Sequence, residues 1–511
     1  MGMMHAHIAR VSMPNDSSER SASRSTTRDE RMPLGLPGLD EVLCGGLLPG
    51  RAYLVRGGPG TGKTILGLHF LTAGTARGER SLLITLEEPE EQIRRDASAV
   101  RLSLDGVTFL DLSPGAEFFT RDQAYDVFHP AEVEREPTMQ SIVRRIESLR
   151  PQRVFLEAMT QLRYLSPDAF QFHKQVLSFL RFLRDEGSTV LFSSEGSLSA
   201  PDEDLQFLSD GVIQLESTRD ARSISIRKLR GSDFQGGCHS MRLTDHGMEV
   251  FPRLMPARHA RHYVKEPISS GVRELDALLQ GGIERGTVAL VSGPTGVGKT
   301  TISLCFVQEA ARRHERSVVY TFDESTETLL RRSEAIGIPV RRLIEKGMLS
   351  VVQVEPLRYT PDEFAHMIRQ EVEQKQTRIV VIDSIAGYRL CLRGADLTTH
   401  LHAIGAYLRN MGATALFVNE IETVTGEFRA TELGISYLAD DIVFLRYLEL
   451  QGELRRAIGV LKKRLTGFES TLRELRITSS GVQLGKPLTS LRGILSGQPE
   501  LVDGRRQAAP P

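Results

Sequence analysis

The sequence predicts an α/β fold that occurs twice in tandem, each copy a mostly parallel sheet flanked by helices. Three observations predict it. The chain has 511 residues, which is too long for one hydrophobic core. The phrase GGPGTGKT at 57–64 returns as GPTGVGKT at 293–300. Short β-branched runs alternate with helical patterns in both halves, which is typical of buried parallel strands.

The repeat extends well beyond these two phrases. The stretch 35–64 aligns without a gap on 271–300, and ITLEE at 84–88 aligns on YTFDE at 320–324, both at an offset of 236 positions. Later matches keep the same order while the offset falls to 225 (188–195 on 413–420) and returns to 234 (243–247 on 477–481). The predicted organisation is a disordered N-terminal arm (1–30), a first domain (31–252), a linker (253–266), a second domain (267–490) and a flexible tail (491–511).

The overall composition argues against several classes of protein. With 64 basic and 65 acidic residues, the net charge of −1 supplies no broad positive field for nucleic acid. Four scattered cysteines without a C-x-x-C pair argue against a metal knuckle or a disulfide framework. No apolar run approaches the roughly 18–20 residues of a membrane span, and the N-terminus lacks a signal-peptide core. We expect a cytoplasmic protein without a membrane or nucleic-acid partner.

Both repeated phrases have the pattern G-x-x-x-x-G-K-[ST] between a β-branched run and a helical pattern. This is a phosphate-binding loop: its backbone N–H groups face the phosphates, the lysine reaches the β- and γ-phosphates, and the hydroxyl ligates Mg²⁺. Two matches in phase with a wider repeat predict that both copies bind ATP. The predicted ATP-binding residues are Gly57, Gly58, Pro59, Gly60, Thr61, Gly62, Lys63 and Thr64, and Gly293, Pro294, Thr295, Gly296, Val297, Gly298, Lys299, Thr300 and Thr301.

An acidic pair follows the next predicted strand in each copy: Glu87 and Glu88 in the first, Asp323 and Glu324 in the second. A carboxylate near the γ-phosphate can orient or deprotonate the attacking nucleophile, so these four are candidate catalytic residues. The alternative is that they only favour the start of a helix, because a helical pattern follows and acidic residues suit that end.

A further predicted strand in each copy ends in a carboxylate that can support the metal. RIVVIDS supplies Asp383 and RVFLEAM supplies Glu157. Together with the loop threonines Thr64 and Thr300, these residues are predicted to ligate Mg²⁺. Glutamate is one methylene longer than aspartate, which predicts a shifted metal shell and altered hydrolysis in the first copy.

These motifs resemble the KaiC family of RecA-like ATPases, which carries two such domains in tandem. Besides the two loops and the acidic pairs, the resemblance rests on KLRG at 228–231, TDHG at 244–247 and ISYLADDIVFLRYLELQGELRRAIGVLKKR at 435–464. It covers about residues 31–490. It implies two RecA-like P-loop NTPase domains and a homohexamer of stacked rings, with ATP and Mg²⁺ between neighbouring subunits.

The resemblance also implies that basic residues after a late strand reach the neighbouring subunit's γ-phosphate. They are Lys228 and Arg230 in the first domain and Lys462 and Arg464 in the second. Such residues spread the charge of the transition state, as an arginine finger does. Without the resemblance, the residues alone leave a surface patch at a strand end as the alternative. Leu465 stands where the family pattern has glycine, so we expect a different loop there.

In the KaiC family the second domain phosphorylates itself on an adjacent serine and threonine. The resemblance places the serine at Ser436, whereas Tyr437 stands at the threonine position and Thr431 lies five residues before the serine. It therefore implies autophosphorylation on Ser436, with Thr431 as a further candidate and the second acidic pair as the base. The alternative is an ordinary loop or helix-cap serine.

The sequence thus predicts an ATPase and serine/threonine autokinase of signalling or clock-type regulation, with an unidentified signalling protein as its partner. Two alternatives stay open. A RecA-like DNA-dependent ATPase would need a basic or aromatic loop inside the ring, but 196–211 is acidic and 421–434 is of mixed charge. A ring scaffold gated by ATP, without kinase activity, would keep the same two loops.

Overall fold

The computed structural model describes residues 31–114, 130–164, 166, 168–195, 202–219, 221–421, 435–495 and 499–501. The predicted N-terminal arm (1–30) lies outside these residues. The chain divides into two compact units, Met1–Pro252 and Arg253–Pro511. Among the described residues, no helix combines the length and the apolar character that crossing a bilayer requires.

The first unit alternates strands and helices and ends in four consecutive strands. Its strands are β1 (Ala52–Arg56), β2 (Ser81–Thr85), β3 (Val107–Asp111), β4 (Arg153–Glu157), β5 (Thr189–Ser194), β6 (Gly211–Ser217), β7 (Arg222–Leu229), β8 (Cys238–Thr244) and β9 (Gly247–Phe251). Its helices are α1 (Pro37–Val42), α2 (Lys63–Thr75), α3 (Glu90–Ala99), α4 (Pro130–Leu149), α5 (Gln161–Tyr164), α6 (Ala169–Asp185) and α7 (Glu203–Leu208).

The second unit repeats this alternation and adds short strands at both ends. Its strands are β10 (Pro267–Ile268), β11 (Ile283–Glu284), β12 (Val288–Gly293), β13 (Ser317–Thr321), β14 (Leu349–Gln353), β15 (Ile379–Asp383), β16 (Thr414–Glu420), β17 (Asp441–Leu450), β18 (Glu453–Lys463), β19 (Arg473–Thr478), β20 (Gly481–Pro487), β21 (Leu491–Arg492) and β22 (Glu500–Leu501). Its helices are α8 (Arg273–Leu278), α9 (Lys299–Arg312), α10 (Thr326–Ala335), α11 (Val340–Glu345), α12 (Pro361–Glu373), α13 (Ile385–Cys391) and α14 (Leu397–Asn410). Two 3₁₀ turns lie at Pro256–Arg258 and Ile435–Tyr437.

The main sheets of the two units have the same strand order. In the described part of the chain, each has nine strands, in the orders β3-β2-β4-β5-β1-β6-β7-β8-β9 and β14-β13-β15-β16-β12-β17-β18-β19-β20. The first six strands of each order are parallel and the last three are antiparallel. A β-bulge also recurs at Val212/Ile213 and Ile442/Val443, which match at an offset of 230. The predicted α/β fold of two mostly parallel sheets is confirmed.

The core of each unit lies on both faces of its sheet. In β1, Tyr53 and Val55 pack into one buried cluster and Leu54 packs into the other, as the two-residue period of a strand requires. Residues 288–291 of β12 alternate in the same way between two clusters. Burial on both faces explains why these strands read as continuous apolar runs in the sequence.

Glycine is required where each phosphate-binding loop becomes a helix. Gly62 and Gly298 have φ values of 101° and 113°, a region that other residues rarely adopt. A Cβ on Gly298 would lie 2.5 Å from Ile477 Cδ1, and one on Gly62 would lie 3.0 Å from Leu243 Cδ2. The antiparallel strands β8 and β19 therefore pack closely against the loops and set their position.

The stretch 253–266, which the sequence predicts as a linker, packs on the second unit. The His259 ring lies edge-on against Tyr407 at 5.2 Å between centroids, and its Nδ1 is 3.1 Å from Glu373 Oε1. Arg261 N donates to Asn410 O at 2.9 Å. Since Tyr407 and Asn410 belong to α14, this stretch covers one end of that helix.

Candidate functional site

Each main sheet carries a cleft at the carboxyl ends of its parallel strands, where β1 and β12 run into the glycine-rich loops. The clefts have volumes of about 390 Å³ in the first unit and 350 Å³ in the second. This edge is where open α/β sheets bind their ligands. Helices α2 and α9 begin at the loop lysines, so their first backbone N–H groups are available to phosphate.

Most of the predicted ATP-binding residues line these clefts. They are Pro59, Gly60, Gly62, Lys63 and Thr64 in the first unit, and Thr295, Gly296, Gly298, Lys299, Thr300 and Thr301 in the second. The others shape the loops. The Thr61 hydroxyl donates to Gly58 O at 2.9 Å, and Val297 is buried in the core. Gly293 ends β12 and is followed by Pro294, whereas Gly57 directly follows β1.

The two loop lysines have different partners. Lys63 Nζ donates to the carbonyl oxygens of Gly57 and Gly58, both at 3.0 Å, and forms an ion pair with Glu195 Oε1 at 3.0 Å. Lys299 Nζ donates to Pro294 O at 2.8 Å, and burial lowers its pKa. Lys63 therefore has a carboxylate among its partners, whereas the partner of Lys299 is a carbonyl oxygen.

Each loop threonine meets the predicted metal-supporting carboxylate. Thr300 Oγ1 donates to Asp383 Oδ2 at 2.6 Å, and Thr64 Oγ1 donates to Glu157 Oε1. Burial raises the pKa of both carboxyls, that of Glu157 to about 7. The second oxygen of Glu157 is buried without a hydrogen-bond partner. Hydroxyl and carboxylate oxygens are the ligands that Mg²⁺ prefers, and a cation would satisfy this oxygen, so the residues fit the metal.

The acidic pairs lie beside these residues, directly after β2 and β13. Threonine hydroxyls fix the turns in the same way: Thr85 Oγ1 donates to Glu88 O at 2.6 Å and Thr321 Oγ1 donates to Glu324 O at 2.9 Å. All four carboxyl side chains line the clefts. Burial raises the pKa of Glu88 and of Glu324 above the ordinary value of a glutamate.

Several charged residues of the clefts were not predicted from the sequence. Glu195 directly follows β5 and lines the first cleft, whereas Glu420 ends β16 and lines the second. Arg332 and Arg456 also line the second cleft. Asp96 lines the first cleft at the position that matches Arg332. The glutamates were detectable, because SSE and VNE close matching strands at an offset of 225.

The four basic residues that the resemblance singles out do not line the cleft of their own unit, as far as the described residues show. Lys228 Nζ donates to the carbonyl oxygens of Gln206 and Ser209 at 2.8 and 2.7 Å. Lys462 Nζ donates to those of Ser436 and Ala439 at 3.1 and 2.7 Å. Burial lowers the pKa of both lysines.

The arginines next to these lysines are placed alike in the two units. Arg230 Nη2 lies 3.5 Å from Phe207 O and Arg464 Nη2 lies 3.0 Å from Tyr437 O. Each also pairs with an aspartate of the same turn, Asp210 or Asp440. The two units therefore present their basic pairs in the same manner, whatever the residue after Arg464.

The predicted phosphorylation site lies on the short 3₁₀ turn Ile435–Tyr437. Ser436 is half-buried there, whereas Thr431 lies outside the described residues. Tyr437 is 55% exposed and matches Phe207 of the first unit, which is 75% exposed. An exposed aromatic residue thus stands at the same position in both units, and an arginine donates to its backbone carbonyl.

The family described as "ATPase: KaiC" matches the chain twice, over residues 32–255 and 268–489. The chain is 28% identical over 498 residues to the "Circadian clock oscillator protein KaiC" of Parasynechococcus marenigrum, covering 94% of this chain and 95% of that protein. It is 28% identical over 507 residues to the protein of the same description from Synechococcus elongatus, covering 96% and 95%. It is also 28% identical over 490 residues to the "Circadian clock protein KaiC3" of Synechocystis sp., covering 92% and 94%.

Proposed function

The chain belongs to the KaiC family of ATPases, and we propose that it hydrolyses ATP in both units and phosphorylates itself on Ser436 in the second. The observation that carries this proposal is the recurrence of one constellation. Each cleft brings together a loop lysine, a threonine with its carboxylate and an acidic pair. These are the groups that position and activate a phosphoryl group for transfer.

Mg²⁺ would be held by Thr300 and Asp383 in the second unit and by Thr64 and Glu157 in the first. Bound there, it neutralises the charge that develops on the β- and γ-phosphate oxygens. The loop lysines draw the same oxygens into place. Glu157 reaches farther from its strand than Asp383 does, so we expect slower turnover in the first unit.

The acidic pair of the second unit supplies the base. Ser436 does not line the cleft of its own unit, so the acceptor is the Ser436 hydroxyl of the neighbouring copy. Asp323 or Glu324 accepts the proton of that hydroxyl while the hydroxyl oxygen bonds to the γ-phosphorus and the bond from that phosphorus to the β–γ bridging oxygen breaks. ADP leaves with that oxygen. With water as the nucleophile, the same groups release inorganic phosphate, so the site can act as an ATPase or as a kinase.

A homohexamer explains the position of the basic pairs. Lys228, Arg230, Lys462 and Arg464 are ordered on strand ends outside the cleft of their own unit, as trans-acting residues need to be. The neighbouring copy would then place them at the γ-phosphate. On this proposal Thr431 is a second acceptor, and an unidentified signalling protein is the partner, in a clock-type or other regulatory role like that for which the relatives are named.

The test is phosphosite mapping by mass spectrometry after incubating the purified protein with ATP and Mg²⁺. We expect phosphate on Ser436, lost in Lys299→Ala and retained in the matched variant Lys63→Ala. An unmodified Ser436 in a protein that turns over ATP would contradict the kinase activity and favour a ring scaffold. A protein without turnover in either single-site variant would contradict the whole proposal.

A further inference from the structure

One position of the helix that follows the acidic pair carries opposite charges in the two units. Arg332 on α10 and Asp96 on α3 match at an offset of 236, and each lines its cleft. Arg332 Nη2 forms an ion pair with Glu324 Oε2 at 2.9 Å, with side chains 47% and 25% exposed. Asp96 instead carries a charge of the same sign as Glu88 and repels it. Its carboxylate accepts a hydrogen bond from Gln92 Nε2 at 2.9 Å.

The second acidic pair is held at both carboxyls. Ser384 Oγ donates to Asp323 Oδ2 at 3.1 Å, while Arg332 binds Glu324. In the first unit Ala158 stands at the place of Ser384 and has no hydroxyl. Among the described residues, no side chain forms an ion pair with Glu87 or Glu88. The two bases therefore differ in how firmly the surrounding side chains orient them.

The charges around the two glutamates differ accordingly. Besides burial, Asp96 and Glu87 both raise the pKa of Glu88. For Glu324, burial and Asp383 raise the pKa, and Arg332 acts in the opposite direction. The neighbours of Glu88 thus all disfavour its charged form, whereas Glu324 has one neighbour that favours it.

We propose that Arg332 is a positioning residue of the second nucleotide site, which orients Glu324 toward the γ-phosphate, and that Asp96 at the same position lowers the turnover of the first site. This inference rests on the proposed ATPase function of both clefts. A half-exposed ion pair adds little to the stability of a fold. An orientation error at a base, in contrast, lowers the rate of the chemical step steeply.

The experiment measures ATP turnover of the second site alone, in the full chain carrying Lys63→Ala. Arg332→Ala should lower kcat on the order of tenfold with KM changed less than about twofold, because the residue acts on the base and not on nucleotide affinity. Arg332→Lys should restore part of the loss. Arg331→Ala is the matched control, since Arg331 pairs with Glu327 at 3.0 Å on the exposed face of the same helix, and it should leave kcat unchanged.

The reciprocal experiment uses Lys299→Ala to isolate the first site. Asp96→Arg should raise its kcat several-fold, and Asp96→Asn should give a smaller rise because it removes repulsion without adding an ion pair. If Lys63→Ala is itself inactive, Lys63 is kept. Each Arg332 variant is then measured alone and in combination with Lys299→Ala, and the difference between the two turnover rates is the rate of the second site.

Unchanged kcat in Arg332→Ala, with an active parent, would overturn this inference and leave the proposed function intact. A loss that Arg332→Lys does not restore and that accompanies a lower melting temperature would also overturn it, because it would show a structural role. If neither the Lys63→Ala nor the Lys299→Ala protein turned over ATP, the result would instead contradict the proposed function itself.

Discussion

The two clefts share a backbone and differ in charge. Among the described residues, the first is lined by five carboxylates (Glu87, Glu88, Asp96, Glu157 and Glu195) and one ammonium group, that of Lys63. In the same part of the chain, the second is lined by four carboxylates (Asp323, Glu324, Asp383 and Glu420) and three cations (Lys299, Arg332 and Arg456). Strand order, the β-bulge and three of the loop glycines (Gly57, Gly60 and Gly62, matching Gly293, Gly296 and Gly298) are the same, whereas Pro294 stands at the place of Gly58. The comparison teaches that one scaffold can keep the backbone of its loops while single side chains change the charge of each cleft.

The basic pairs, Lys228 with Arg230 and Lys462 with Arg464, are placed alike in the two units. Removing their arginines should therefore lower ATP turnover by the same factor in both units, and this is the largest effect that we expect. Arg464→Ala should lower second-site turnover about 10³-fold, and Arg230→Ala should do the same to the first site. The measurement is single-site ATP turnover in the Lys63→Ala and Lys299→Ala backgrounds. Mixing Arg464→Ala with Lys299→Ala subunits should restore part of the second-site activity, because intact loops then meet intact arginines. No recovery would speak against action between subunits.

A buried histidine should make the first unit more sensitive to acid than the second. Burial lowers the pKa of His69 to about 4, and its Nε2 accepts from Met248 N at 3.0 Å. The unfolded chain binds a proton near pH 6.5, so stability falls as the pH drops from there to about 4, by on the order of 3 kcal/mol.

The matching residue of the second unit is Cys305, which does not titrate in this range because burial raises its pKa to about 12. His69→Gln should therefore flatten the pH dependence of one unfolding transition, measured by calorimetry between about pH 7 and 4.5, and leave the other unchanged. An unaltered pH dependence in the variant would rule out His69 as the cause.

Exchanging the metal-supporting carboxylates should make the ATP turnover rates of the two sites more alike. Asp383→Glu should lower second-site turnover about tenfold, and Glu157→Asp should raise that of the first. The physical reason is the extra methylene of glutamate, which moves the carboxylate relative to the loop threonine. The rates would be measured against Mg²⁺ concentration, since a change in metal affinity is expected as well. A slower first site in Glu157→Asp would show that its neighbours are adapted to glutamate.

The smallest expected effect is on stability, and it comes from the N-terminal caps of the helices that carry Arg332 (α10) and Asp96 (α3). Ser325 caps α10 through a hydrogen bond from Thr328 N at 3.2 Å, whereas Pro89 begins α3 without a side-chain cap. Ser325→Ala should cost about 1 kcal/mol of stability in the second unit. Chemical denaturation would measure it. Pro89→Ser is the counterpart in the first unit and should stabilise α3 by no more than that amount.

The fold could be predicted from the sequence because the motifs, the apolar runs and their order all occur twice. The offset of 236 between the two loops, the apolar runs and the acidic pairs all indicate one architecture built twice. The contacts of Thr64 with Glu157 and of Thr300 with Asp383 follow from the parallel sheet, whose strand ends meet at one edge. The roles of these residues in metal binding stay predictions.

The sequence was not sufficient for the differences between the clefts. Arg332 and Asp96 lie eight residues beyond the acidic pair on a helix with many charged residues, and nothing in the local pattern separates them from solvent-facing neighbours such as Arg331. Glu195 forms its ion pair with Lys63 across a sheet whose strand order the sequence did not predict. Their contribution depends on distances between elements, which a linear pattern does not contain.

The packing of residues 253–266 on α14 bears on where the chain can be cut. An isolated second half that begins at residue 267 would lose His259 and expose the ring of Tyr407 that it covers, whereas one that begins at Arg253 keeps both. Glu373, whose pKa is lowered to about 2 with His259 as the largest cause, would lose its main partner in the shorter fragment. The segment therefore belongs to the second unit, and a fragment intended to fold alone should begin no later than Arg253.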